Sequence, residues 1–176
     1  MGRILAVDWG GRRLGLARSD ALGLTAQPLP AIILPAAAGA PDAAARRAQA
    51  AAVTALADAV AEHAIAHLVL GLPLELSGRS GEAAGRVEAL VVALRARLPE
   101  HVTIETWDER LTSALAERFL REEGRTTGRR SGGGRERTRP ATQAEKARVD
   151  QRAAVLLLQS WLDAHPGAGL LDREDA

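Results

Sequence analysis

Two short apolar runs at the N-terminus constrain the fold more than any other feature of the chain. "RILAVDWG" (3–10) passes through four apolar residues to an acid. "RLGLARSD" (13–20) follows across Gly10, Gly11 and Arg12, with Leu14 and Leu16 on alternate positions and Arg18 polar. Runs of this length around paired glycines read as two strands turned back on one another. Such a pair cannot bury its faces alone, so the rest of the chain must extend the sheet and cover it. Residues 24–34, ending "PAIIL", supply a third strand limited by its prolines.

From Pro41 to His63 the pattern turns helical, with proline at the start, where its missing N–H does no harm. "HLVLGLP" (67–73) reads as a buried parallel strand stopped by Gly71 and Pro73. Residues 82–98 form an amphipathic helix through Val87, Leu90, Val91, Leu94 and Leu98. "HVTIETWDE" (101–109) is another strand, 110–122 another helix, and 141–163 a long closing helix. Three strands on short connections followed by helix–strand alternation give an α/β protein. Its mixed five-stranded sheet has the first three strands antiparallel and helices on its faces.

The length of 176 residues suits one domain, expected over 1–164, with a flexible acidic tail at 165–176. Aromatics are 2%, so Ala, Leu and Val must fill the interior. The absence of cysteine excludes disulfides, thiolate metal sites and a cysteine nucleophile. No signal peptide is evident, and charges interrupt the Ala-rich 36–66 stretch, so a cytoplasmic protein that does not enter membranes is expected. The net charge of +1 conceals an uneven distribution. Residues 124–140 carry Arg125, Arg129, Arg130, Arg135, Arg137 and Arg139 against one Glu, leaving the other 159 residues at −4. With five glycines and no large apolar residue, this segment reads as a mobile loop. It is either a solvated linker or a cationic arm for a phosphate backbone.

Acids at three places fit a solvated surface poorly. Asp8 ends the first strand; Glu109, with Asp108 beside it, ends the fifth; Asp150 lies in the closing helix. From Asp150, Ala153, Ala154, Leu157, Leu158 and Trp161 follow at +3, +4, +7, +8 and +11, which is one helical face. Asp150 therefore points along the apolar stripe toward the sheet, where a carboxylate is costly unless paired or metal-bound. Lys146, one turn earlier, or Arg13 would pair it. Alternatively, converging carboxylates would repel and raise one another's pKa values. A divalent cation reverses that, and hard oxygen ligands suit Mg²⁺ or Mn²⁺. Two such ions about 3.5–4 Å apart serve phosphodiester cleavage. His63, His67, His101 and His165 lack zinc-ligand spacing and read as surface or boundary residues. Ser19 lacks a nucleophile elbow, and "WGGRRLG" lacks the Gly-Lys-Ser/Thr of a phosphate loop.

Four ordered blocks resemble the YqgF (RuvX) family, bacterial RNase H-like nucleases described as pre-16S rRNA nucleases or Holliday-junction resolvases. They are "VDWGGRRLGLARSD", "GLPLELSG", "WDERLTS" and "KARVDQRAAVLLLQSWL", spanning residues 7 to 162. The resemblance implies an RNase H-like core and a metal-binding triad of Asp8, Glu109 and Asp150, with Asp108 as a secondary candidate. It implies two Mg²⁺ or Mn²⁺ ions, with Arg13, Lys146, Arg110 and the 124–140 arginines holding nucleic acid. The expected activity is endo- or exonucleolytic cleavage of structured RNA in 5′-end maturation of pre-16S rRNA. The alternative is Holliday-junction resolution on branched DNA, which needs a dimer; monomer and homodimer both stay open. The order of Thr112 and Ser113 departs from the usual one, and the basic loop is longer and richer in Arg and Gly. An actin-like ATPase would need a second domain that 176 residues cannot supply. A silent binding module would leave the inward-facing Asp150 without a role.

Overall fold

β1 (Arg3–Trp9) and β2 (Arg13–Ser19) form the expected antiparallel pair, with Asp8 opposite Gly15 and Leu5 opposite Arg18. β3 (Ala26–Ile33) continues it antiparallel. Leu14 and Leu16 of β2 meet Ile32 and Leu29 of β3, so two residues of β3 stand opposite the single Gly15 of β2. The extra residue makes a bulge at Pro30–Ala31, on an edge strand where a proline does least damage. On the other side of β1, β4 (Ile65–Leu72) pairs parallel with it, and β5 (Thr103–Asp108) pairs parallel with β4. The sheet has the order β3-β2-β1-β4-β5. The computed structural model describes residues 2–35, 41–73, 81–108 and 143–168, the side chains of Pro41 and 143–150 excepted.

α1 (Pro41–Glu62) and α2 (Glu82–Arg97) cover one face, and α3 (Gln143–Ala164) covers the other. Both faces of β1 are therefore buried, which is why it reads as an unbroken apolar run. Leu5, Val7, Leu68 and Leu70 pack toward α1 and α2 with Leu56, Leu90 and Leu94. Ile4, Ala6, Ala17 and Val69 pack toward α3 with Ala154, Leu157, Leu158 and Trp161. At the start of β1 a Cβ on Gly2 would lie 1.9 Å from that of Ala66, so only glycine lets the two strands approach there. β4 begins at Ile65, two residues before its expected start. The helix read at 110–122 and the basic segment at 124–140 lie outside the described residues. Of the segment read as a tail, 165–168 are described and 169–176 lie outside. No helix among the described residues is long and apolar enough to cross a membrane.

Candidate active site

Asp8 reaches its position through the turn that follows it. The Gly10 N–H donates to the Arg13 carbonyl at 3.0 Å and closes a hairpin whose two central residues are Gly11 and Arg12. Gly11 takes φ +80°, and the Arg12 N–H donates back to the Gly10 carbonyl at 3.1 Å. Only glycine adopts this γ-turn conformation at low cost. The Trp9 indole N–H donates to the Gly11 carbonyl at 2.9 Å, and the Leu34 N–H donates to the Arg12 carbonyl at 2.9 Å. The tip is thus tied to β1 on one side and to the exit of β3 on the other.

Strand alternation assigns the faces. Ile4 and Ala6 face α3, so Asp8, two residues further along β1, faces α3 as well. It is half-buried. Asp108 ends β5 at the same end of the sheet, because β1, β4 and β5 are mutually parallel. It pairs with Leu72, however, which packs with the α1–α2 core, so Asp108 lies on the opposite face from Asp8. Two strand spacings, about 9.5 Å, separate β1 from β5. Arg13 begins β2 across the turn from Asp8. Asp8, Arg13 and Asp108 are each engaged by other groups.

Two glutamines fix the direction of α3. The Gln151 side-chain amide donates to the Leu29 carbonyl at 2.8 Å, and Leu29 stands level with Leu16 and Val7 across the sheet. Two turns on, Gln159 accepts from the Ala26 N–H at 3.2 Å and donates to the Leu24 carbonyl at 3.3 Å. α3 therefore runs antiparallel to β1, and its backbone at Asp150 lies at the Asp8 end of the sheet. The side chains of Lys146 and Asp150 lie outside the described set. So do Glu109, Arg110, Arg125, Arg129, Arg130, Arg135, Arg137 and Arg139. Among the described residues no three His, Cys, Asp or Glu groups stand close enough to hold a metal. Asp8 contributes a hard oxygen donor, and no histidine or cysteine stands at its strand tip to favour a softer ion.

A cavity of about 1200 Å³ opens at the far end of the sheet, beside His67, Glu105, Trp161 and His165. Ser19 and Asp20, two residues of the first family-like block, also sit at that far end and have structural tasks. Ser19 is buried, accepts the Ile4 N–H at 3.0 Å and donates to the Asp20 carbonyl at 2.9 Å. The Asp20 carboxylate accepts the N–H groups of Leu24 at 2.7 Å and Thr25 at 3.1 Å, shaping the β2–β3 turn. The sequence reading missed the partly buried His67 and His165. His165 has a local signal in Trp161 four residues before it, whereas His67 has none.

Two solved structures share this architecture. Thermus thermophilus RuvC in complex with a Holliday junction substrate matches at TM-score 0.55 and 15% identity, covering 93% of this chain and 95% of that one. A further Thermus thermophilus RuvC structure matches at 0.53 and 16%, covering 92% and 96%. The fold is RNase H-like, a mixed five-stranded sheet between helices. The family model described as "RuvX: Holliday junction resolvase" matches residues 2–164. Proteins named "Putative pre-16S rRNA nuclease" are 35% identical in Myxococcus xanthus and 34% identical in Koribacter versatilis. The first alignment covers 93% of this chain and 89% of its relative, the second 99% and 92%. The chain belongs to the RuvX family of nucleases.

Proposed function

We propose that this chain is a metal-dependent nuclease of structured RNA that acts in the cytoplasm on the 5′ end of pre-16S rRNA. The observation that carries the reading is the antiparallel course of α3 over β1, which brings the helix at residue 150 to the sheet end that holds Asp8. Asp8, Glu109 and Asp150 would hold Mg²⁺ or Mn²⁺, with Asp108 outside the set because it faces α1 and α2. When bound, a pair of such ions activates water and stabilises the leaving oxygen in phosphodiester hydrolysis. Arg13 and Lys146 hold the scissile phosphate. Arg110 and the arginines at 125, 129, 130, 135, 137 and 139 hold the backbone without reading sequence. The names of the curated relatives support the RNA substrate.

The description of the family model favours a second reading, resolution of four-way DNA by a symmetric dimer. One experiment addresses both. Wild type and Asp8→Asn are incubated with a paired pre-rRNA fragment and with a four-way DNA junction, with and without Mn²⁺. The RNA reading expects Mn²⁺-dependent cleavage of the RNA, lost in Asp8→Asn while binding persists. Cleavage of the junction alone would favour resolution, and wild-type cleavage rates from Asp8→Asn would overturn the assignment of Asp8.

A further inference from the structure

On the α3 side of the sheet a polar and aromatic network that the proposed chemistry does not use runs along β5, from Thr103 and His67 at the end away from Asp8 to Trp107. On β5, the Glu105 carboxylate accepts the Trp161 indole N–H from α3 at 3.1 Å. The same carboxylate oxygen accepts His67 Nε2–H from β4 at 3.3 Å, and His67 Nδ1 meets the Thr103 hydroxyl. Trp161 is 4% exposed; its ring lies 4.8 Å from that of His67 and stacks at 4.2 Å on that of His165. Two residues beyond Glu105, Trp107 donates its indole N–H to the Ser160 hydroxyl at 3.2 Å and meets His165 edge-on at 5.5 Å.

These contacts join the two elements whose relative placement matters most. α3 otherwise rests on β1, β2, β3 and Val69 of β4, where alanines and three hydrogen bonds of Gln151 and Gln159 hold it. Trp161 and Ser160, both in the last two turns of the helix, hydrogen-bond to β5. β5 leads in sequence to Glu109, and α3 carries Asp150 eleven residues before Trp161. A helix is stiff over that span of about 16 Å, so an error at one end is carried to the other. A misplacement of about 1 Å at a reacting centre is enough to lower a rate about a hundredfold. A buried indole bonded to a carboxylate fixes both the rotation and the slide of the helix.

We propose that the Trp161–Glu105 hydrogen bond sets α3 against β5, making Glu105 and Trp161 positioning residues for the acids at 150 and 109. The inference rests on the metal-nuclease reading for its consequence, although the contact itself can be tested without cleavage. Trp161→Phe keeps a ring in the core and removes the N–H; Glu105→Ala removes the acceptor; Glu105→Gln keeps an acceptor for the indole. Val60→Ala, buried on the opposite face, controls for general loss of stability. Amide hydrogen exchange across 143–150 is measured in the full-length variants, alongside kcat and KM for RNA cleavage.

Trp161→Phe and Glu105→Ala should raise exchange across 143–150 about tenfold above Val60→Ala. They should lower kcat about tenfold and leave KM within about twofold, with Glu105→Gln close to wild type in both. Exchange no faster than in Val60→Ala would overturn the proposal whatever the cleavage result. Faster exchange with undiminished kcat would overturn it too. An inactive wild type would instead defeat the nuclease reading, and the exchange data would still decide whether the contact sets α3.

Discussion

The two faces of the sheet are built from different side chains and impose different demands. Toward α1 and α2 the core is leucine upon leucine, with Leu5, Leu56, Leu68, Leu90 and Leu94 fully buried. Toward α3 the sheet offers Ala6 and Ala17 beside Ile4 and Val69, in one cluster with Ala154 of the helix and the larger side chains further along it. Burying leucines fills volume and stabilises in proportion to area. Apposed alanines set how closely a helix backbone approaches a sheet. Asp8 faces the second side, and α3 carries Asp150 across it. The lesson is that one face holds the molecule together while the other holds a distance.

Damage to each face should leave a different signature. Leu68→Ala, in the leucine core, should cost about 3 kcal/mol in denaturant unfolding, through lost burial and the cavity left behind. The folded fraction should keep its kcat within about twofold. A proportional fall in kcat would show that the faces are not distinct in this way. Ala154→Leu, on the other face, should cost only about 1–3 kcal/mol through overpacking. Because it lifts α3 from the sheet, it should lower RNA cleavage at least about tenfold in protein that is still folded. Folded protein with full activity would contradict the spacing role of the alanines.

Burial holds the His67 pKa below its ordinary 6.5, although Glu105 opposes the shift. As pH falls through about 6.5, the unfolded chain takes up a proton at this residue before the folded one does. The unfolded state then binds more protons, so stability present at neutral pH is lost until the folded pKa is passed. His67→Gln should flatten this part of the profile. Unfolding midpoints between pH 7.5 and 5.5 check it, and equal slopes in wild type and variant would remove His67 from the explanation.

Most of the fold was legible because its signals are local. The return of β2 on β1 follows from Gly10 and Gly11, and the helices follow from apolar spacing. The edge position of β3 follows from Pro28 and Pro30. The place of Asp8 was legible because an acid ending a buried strand is unusual, and it stands there half-buried on the α3 side. The opposing faces of Asp8 and Asp108 were not, because they depend on the pairing of Leu72 with Asp108, residues joined only by the sheet. The Glu105 network was equally hidden. His67 sits within an apolar run, and its partners lie 36 and 38 residues away, so no local pattern announces them. Ser19 and Asp20 show the converse, since two prominent residues of a family-like block turn out to shape a turn rather than a reacting centre.

In the proposed metal site β1 and α3 bring Asp8 and Asp150 to one cation, which calorimetric Mn²⁺ titration of wild type, Asp8→Asn, Asp150→Asn and the double variant tests. If both carboxylates hold the same ion, each single substitution should weaken binding at least about tenfold. The double variant should then be little worse than the weaker single, because the ion's site is already broken. Unchanged Mn²⁺ affinity in either single variant, or strictly additive losses in the double, would contradict the account.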